Sequence, residues 1–273
     1  MHLSAEVRAL FEAAKSEFVA IGLGTEADFN TFLAIIDGSQ TVSTRLNDAY
    51  TFGFLTGVSF VPNSSIFLAR YKADVRAYQN SGQYTFDSVE GGTIEITPLA
   101  MSPLLSGSPA ATLYTIAHEA AHAIRAAQFN AAVLPALNQF TAGLDAATTT
   151  FDATSALDNY LNTTLLEEVQ AALRGFLDVS GLTPLTAADR IAIASLNTSI
   201  GYFMDPATGD FLPEVVVSSE GLPSLDEADL LGPVQILRQT PGGWRDYGLA
   251  YALSFMAAHN SVPRQHSIDR LAA

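Results

Sequence analysis

Two histidines and a glutamate in the segment HEAAH, residues 118–122, have the types and spacing of a metal-activated hydrolytic site. In an α-helix, residues four apart lie about 40° from each other around the axis, so His118 and His122 can converge on one ion. Neutral imidazole is a good zinc ligand, and a catalytic zinc keeps one coordination position for water. Glu119 is rotated by about 100° from His118 and can accept a proton from that water. The segment therefore predicts bound Zn²⁺ with Glu119 as general base.

The elements around this segment must bury one face of its helix and turn the histidines toward a cleft. A face opposite the histidines is apolar and predicts such a helix: Leu113, Ile116, Ala120, Ile124 and Ala127. Upstream, the alternating runs QYTFDSV and TIEITPL are joined by EGG, which predicts a β-hairpin. A segment rich in Ser, Pro and Gly, from Ser102 to Pro109, predicts the turn that leads into the helix.

The hairpin followed by a HEAAH helix resembles the zincin metallopeptidases. The resemblance implies a zinc peptidase that hydrolyses peptide bonds through a metal-bound water, with Glu119 as general base. In that superfamily an edge strand before the motif helix binds the main chain of the substrate, and the resemblance assigns this role to TIEITPL.

The third zinc ligand separates the zincin subclasses. The metzincin pattern is excluded because Arg125 and Gln128 stand at its fixed offsets, whereas the gluzincin pattern takes a glutamate from a later helix. The segment LLEEVQAALRGF offers Glu167 and Glu168. Glu168 falls about 90° from the centre of the apolar stripe of this helix and Glu167 about 170° away, so Glu168 is the better candidate. Glu167, His259 and Asp158 stay open as alternatives.

A peptidase also needs a donor for the oxyanion that forms when water attacks the carbonyl. The segment GWRDYGLAYALSFMAAHN brings two tyrosines close together late in the chain. Tyr251 and Tyr247 are therefore the predicted catalytic donors.

The composition limits the partners. Thirteen Lys plus Arg against 28 Asp plus Glu give a formal charge of -15, whose field repels nucleic acid, so we expect no nucleic-acid partner. The zincin resemblance implies a peptide or protein substrate. No apolar run is long enough to predict a membrane span. The chain has no cysteine, which excludes disulfides and thiolate ligands. The acidic, cysteine-free composition favours an extracellular location, and the sequence leaves the oligomeric state open.

The predicted fold is mainly α (α+β), a single zincin-like domain over residues 1–273 with a small β-hairpin or sheet before the HExxH helix. It has an N-terminal helical part (about 1–80), a catalytic core (about 81–200) and a C-terminal loop and helix part (about 201–273). Helix starts are predicted at Ser4, Thr25, Ser155 and Thr186, the first helix running to about Ile21. A long loop from Asp205 to Gly243, with a strand at Glu214–Val217, and a last helix at Trp244–His259 complete the prediction.

Two other functions are compatible with the same residues. One is a metal-binding scaffold or surface module without turnover, which a cleft covered by the segment Asp205–Gly243 would favour. The other is a zinc hydrolase of non-peptide bonds, which a closed pocket in place of an open groove would favour.

Overall fold

The computed structural model describes residues 2–52, 54–63, 68–80, 83–105, 109–146, 150–181, 184–196 and 198–212. This part of the chain is mostly helical with one three-stranded sheet, which confirms the mainly α (α+β) class. The elements in chain order are α1 (Ala5–Ala13), α2 (Lys15–Ala20), α3 (Glu26–Gly38), α4 (Gln40–Thr51), β1 (Gly57–Phe60), β2 (Ala69–Asn80), β3 (Gln83–Ile96), α5 (Pro98–Leu105), α6 (Pro109–Ala146), α7 (Thr150–Ser180), α8 (Ala187–Leu196) and α9 (Thr198–Gly201). The predicted strand at 214–217 and the predicted helix at 244–259 lie outside the described residues.

The N-terminal helices begin where their capping residues predict. The Ser4 hydroxyl accepts the Val7 N–H at the start of α1, and Thr25 and Asp28 form a reciprocal capping box at the start of α3. The predicted single helix to Ile21 is divided at Ala14, whose N–H bonds to the Phe11 carbonyl only three residues back. This tighter turn ends α1, and α2 begins at the next residue, Lys15.

The first core lies between the N-terminal helices, the sheet and α6. Its centre is a cluster of fully buried or nearly fully buried phenylalanines, mostly in edge-to-face contact: Phe11, Phe18, Phe29, Phe32 and Phe60. On α6, Ile116, Ala117, Ala120 and Ala123 pack on this core. The face of α6 predicted to be apolar therefore meets the sheet and the N-terminal helices.

The strand order of the sheet is β1-β3-β2, with β1 parallel and β2 antiparallel to the central β3. The predicted hairpin over QYTFDSV, EGG and TIEITPL is wrong, since residues 83–96 form one continuous strand paired with the preceding β2. The glycines allow close approach instead of a turn: a Cβ on Gly92 would lie 2.5 Å from the Tyr71 ring, and one on Gly91 would lie 2.7 Å from the Thr56 methyl.

The role predicted for TIEITPL as an edge strand is wrong for the same reason, because residues 93–96 pair on both sides. Pro98 and Leu99 already belong to α5, which extends through Leu105 and so covers the first half of the predicted turn from Ser102 to Pro109. In the part of the chain that the structure describes, β1 and β2 are the edges of the sheet.

Helices α6 and α7 pack side by side and antiparallel, as two close contacts at opposite ends indicate. Gly143 of α6 lies against Ala156 of α7, and Gly175 of α7 lies against the backbone of His118. The helix predicted from Ser155 thus exists and begins five residues earlier, at Thr150.

A second core lies on the other side of α6, where α7, α8 and α9 cover it. The capping box predicted at Thr186 and Asp189 is present at the start of α8. Among the described helices, none is long and apolar enough to cross a bilayer. Helix α6 therefore runs between two cores, and its histidines lie where α7 crosses it.

Candidate metal centre

His118 and His122 lie one turn apart on α6 and point the same way. Their Nε2 atoms are 3.0 Å apart, and the His118 side chain is buried while that of His122 is 12% exposed. Glu119 completes a group of three residues whose potential ligand atoms lie within 4.8 Å of one another. This group could hold a metal ion.

Glu168 of α7 reaches the same point from the facing helix. Its Oε1 lies 3.1 Å from His118 Nε2, and its Oε2 lies 3.1 Å from His122 Nε2. The carboxylate therefore bridges the two histidines, and it is itself buried. Two imidazole nitrogens and one carboxylate converge, which is a common donor set for zinc in catalytic sites.

Small residues of α7 allow this approach. Ala171 and Ala172 are fully buried beside Glu168, and a Cβ on Gly175 would lie only 3.0 Å from the His118 peptide nitrogen. A larger side chain at Gly175 would push the helices apart. The approach that brings Glu168 within reach of both histidines thus depends on residues that carry no chemistry themselves.

Glu119 is held from another direction, by the sheet. Its Oε2 accepts the peptide N–H of Tyr71 in β2 over 2.6 Å, and the side chain is buried. A carboxylate that accepts a backbone N–H is fixed in orientation more firmly than one that only faces water. Glu119 therefore stands next to the histidines without bridging them as Glu168 does.

The two buried carboxylates differ in their electrostatics. Burial raises the pKa of Glu119 above its ordinary value, and the negative charge of Glu168 acts in the same direction against the opposing effect of the histidines. Burial acts in that direction on Glu168 too, but the adjacent His122 and His118 outweigh it and hold the pKa of Glu168 well below its usual range. The surroundings thus shift the pKa values of these two carboxyl groups in opposite directions, which suits them to different roles.

The donor set fits a tetrahedral metal. Two ligand atoms with bonds of about 2.0–2.1 Å to one tetrahedral ion lie about 3.3 Å apart. Here the two histidine Nε2 atoms are 3.0 Å apart, and each lies 3.1 Å from an oxygen of Glu168. One feature departs from the usual pattern: His118 Nδ1 is buried, and among the described residues it has no hydrogen-bond partner. A zinc-bound histidine usually donates this N–H to a carbonyl or carboxylate.

The structure does not describe the side chains of the other predicted site residues. The side chains of Glu167 and Asp158 lie outside the described part, and Tyr247, Tyr251 and His259 lie in residues that the structure does not describe. The Tyr71 N–H and the close contact at Gly175 were not predicted. The first is a main-chain group and carries no sequence signal. The second had a weak signal, the small residue in AALRGF on the helix of Glu168.

The side chains of His118, Glu119 and Glu168 are largely buried, with 7%, 6% and 7% exposed. Helix α7 lies beside them, with Gly175 against His118 and Glu168 against both imidazoles. The predicted cleft stays a prediction.

The chain matches no protein-family model, no curated protein and no solved structure. Its fold and its site define a mostly helical protein whose central helix carries a His-Glu-x-x-His group able to hold a metal ion.

Proposed function

We propose that this protein is a zinc-dependent hydrolase of the gluzincin type, with peptide bonds as its first candidate substrate. His118, His122 and Glu168 would hold the zinc, and Glu119 would be the general base. The observation that carries the proposal is the Glu168 carboxylate, which lies 3.1 Å from the Nε2 of each histidine. Two histidines and one glutamate are the protein ligands of one class of catalytic zinc site, with the fourth position left to water.

A zinc ion bound there would lower the pKa of a bound water and polarise the substrate carbonyl. With zinc bound, Glu119 would accept the proton of the attacking water and return it to the leaving amine. The Tyr71 N–H holds the Glu119 carboxylate beside the histidines for this transfer. Glu168 stays ionised and compensates the charge of the cation.

The substrate strand of this proposal is β2 instead of TIEITPL. The outer edge of β2 runs past Glu119, where Tyr71 directs its N–H away from β3. The Glu119 carboxylate takes that N–H, so an extended peptide could pair only with the other main-chain groups of this edge. The oxyanion donor stays with Tyr251 and Tyr247, as predicted from the sequence.

The enclosure of the site favours a second candidate, a zinc hydrolase that acts on a small non-peptide substrate. With three of its side chains no more than 7% exposed, the centre admits a small amide or ester more readily than a polypeptide. Turnover of a peptide library against a panel of small amides and esters separates the two candidates.

The test of the metal site is elemental analysis of purified protein. We expect about one zinc per chain in the wild type, loss of zinc in His118→Ala and Glu168→Ala, and retention in Glu167→Ala, which changes the neighbouring carboxylate. Wild-type protein that takes up no metal after zinc addition would overturn the proposal. If Glu167→Ala lost zinc and Glu168→Ala kept it, the third ligand would be Glu167 instead of Glu168.

The test of the chemistry is Glu119→Gln. Zinc content should match the wild type, while hydrolysis falls by about 10²–10⁴-fold, the usual contribution of a general base. A bound zinc with no turnover of either substrate panel by the wild type would identify the protein as a metal-binding scaffold.

A further inference from the structure

Both outer edges of the sheet are capped by a glutamate. At β1 the Phe60 N–H donates to Glu17 Oε2 over 3.0 Å, and at β2 the Tyr71 N–H donates to Glu119 Oε2 over 2.6 Å. The first contact is what protects an edge strand from pairing with another chain. The contact at β2 is also a hydrogen bond from a backbone N–H to a glutamate carboxylate. It differs in its surroundings, because Glu17 is exposed whereas Glu119 is buried beside the histidines.

The register of the sheet sets the direction of the Tyr71 N–H. The Thr97 N–H donates to the Leu68 carbonyl, so Ala69 and Ile96 form a pair without mutual hydrogen bonds, and so do Tyr71 and Ile94 two residues along. The Tyr71 N–H therefore has no partner in β3 and points outward. Its acceptor is the carboxylate of Glu119.

The side chain of Tyr71 holds this residue in place. Its hydroxyl donates to the Phe54 carbonyl over 2.6 Å, and its ring lies over Gly92, where a Cβ would come within 2.5 Å of the ring. The pairing of β2 with β3 becomes irregular only beyond Ala73. Tyr71 is thus anchored at both its ring and its main chain.

We propose that Tyr71 is a positioning residue for Glu119. The anchored ring fixes the peptide N–H, the N–H fixes Glu119 Oε2, and Glu119 Oε1 is left as the proton acceptor. A glutamate side chain has several rotamers of similar energy, and one charge-assisted hydrogen bond in a buried site selects among them. The catalytic consequence rests on the proposed function, whereas the contact itself does not.

The contact is tested by NMR on protein labelled with [¹⁵N]tyrosine, which carries nine labelled amides. The Tyr71→Phe spectrum assigns the Tyr71 peak by its loss. We expect this amide proton to resonate far downfield and to move upfield in Glu119→Gln and further in Glu119→Ala. Glu17→Gln, which changes the matching cap of β1, should leave it in place. A Tyr71 peak that does not respond to Glu119 substitutions overturns the proposal.

The positioning role is tested with two variants that both remove the ring. Tyr71→Ala keeps the N–H and Tyr71→Pro lacks it, and proline is tolerated where the N–H faces away from the sheet. We expect zinc content and KM to be the same, and kcat to be about tenfold lower in the proline variant. Glu17→Gln, which changes the matching contact at β1, should retain a kcat close to that of the wild type.

Equal kcat values in Tyr71→Pro and Tyr71→Ala would overturn the positioning role. If the wild type hydrolyses nothing, the proposed function fails, and the response of the Tyr71 amide to Glu119→Gln still decides whether the contact exists. If Tyr71→Pro does not fold, Gly92→Ala tests the anchoring of the ring, because the added methyl displaces it. We then expect the Tyr71 amide proton to move upfield and kcat to fall together, and a shifted amide with wild-type kcat would overturn the positioning role.

Discussion

Gly175 and His118 are in contact through their backbones where α7 crosses α6. A Cβ built on Gly175 would lie 3.0 Å from the His118 peptide nitrogen and 3.2 Å from its Cα. Glu168 stands two helical turns earlier on the same helix and bridges the two histidines. The distance between these helices therefore controls whether the carboxylate reaches the imidazoles.

This contact predicts that Gly175→Ala weakens metal binding. The added methyl must push α7 from α6 or strain the backbone of His118, and overpacking of this kind costs about 1–3 kcal/mol. The helix propensity gained by replacing glycine returns about 1 kcal/mol of that. We expect zinc affinity, measured by competition with a chromogenic chelator, to fall by about tenfold, since a shift of 1 Å is large for a metal site.

Gly143→Ala is the matched control for this prediction. A Cβ on Gly143 would lie 2.8 Å from the Ala156 Cβ, in the same pair of helices but toward the opposite end. We expect a comparable loss of stability with little change in zinc affinity. Equal losses of affinity in both variants would mean that general loosening of the helix pair, and not the contact at His118, governs the site.

Zinc itself should stabilise the folded chain. A ligand that binds the folded state at 1,000 times its Kd adds about 4 kcal/mol to the free energy of unfolding. The chain has no cysteine and five histidines, so the unfolded state offers few competing ligands. We expect Tm to rise by several degrees on zinc addition and to fall again on chelation. In His122→Ala the rise should disappear, and a rise that persists there would place the zinc at another site.

Local features of the fold could be predicted from the sequence and the sheet topology could not. The capping boxes at Thr25 and Thr186 involve residues three apart, so the pattern carries the whole contact. EGG, by contrast, suits both a turn and a close approach to neighbouring side chains. Whether these glycines form a turn or a close approach depends on contacts with Tyr71 and Thr56, which are far away in the sequence.

In the candidate site, too, the local features were predictable from the sequence and the contact between distant residues was not. The helical period of 3.6 residues favoured Glu168 over Glu167, and Glu168 is the carboxylate that the structure brings to the histidines. Its role as a metal ligand stays a prediction. The Tyr71 contact with Glu119 joins residues 48 apart through a main-chain donor, and no side-chain pattern indicates it.

Asp37 should make stability depend on pH. This buried carboxylate accepts the N–H groups of His2 and Leu3 and pairs with Arg8 Nη2 at 2.5 Å. Burial would raise the pKa of Asp37, but these hydrogen bonds and the Arg8 charge outweigh it and hold that pKa below its usual value. The unfolded chain therefore takes up the proton first as the pH falls, and the stabilisation present above about pH 4 is lost as the pH drops through the folded-state pKa.

The measurement is the free energy of unfolding of the wild type and of Asp37→Asn in urea. At pH 7 we expect the variant to be less stable by about 1–2 kcal/mol, the usual effect of a hydrogen-bonded charge. The difference should shrink toward zero as the pH falls through the folded-state pKa of Asp37, because the wild-type carboxyl group then becomes protonated too. A difference independent of pH would show that shape, and not charge, makes Asp37 important.

The ion pair between Arg45 of α4 and Asp178 of α7 predicts an asymmetric response to mutation. Arg45 Nε and Nη2 lie 2.7 and 3.1 Å from the two carboxylate oxygens, with 19% and 9% of the two side chains exposed. Arg174 also interacts electrostatically with Asp178. Asp178→Asn therefore leaves two guanidinium groups facing each other, whereas Arg45→Met leaves Asp178 with Arg174 as a counterion. We expect losses of about 2 and 1 kcal/mol, reduced from fully buried values by partial exposure.

Urea unfolding of the two single variants and the double variant measures this difference. The double variant should lose less than the sum of the two single losses, because once Asp178 is neutral, removing Arg45 relieves its repulsion with Arg174. The same measurements at high salt should narrow the gap between the single variants, since salt screens the repulsion between partly exposed charges. Equal losses in Asp178→Asn and Arg45→Met, insensitive to salt, would mean that Arg174 takes no part and that the pair acts on its own.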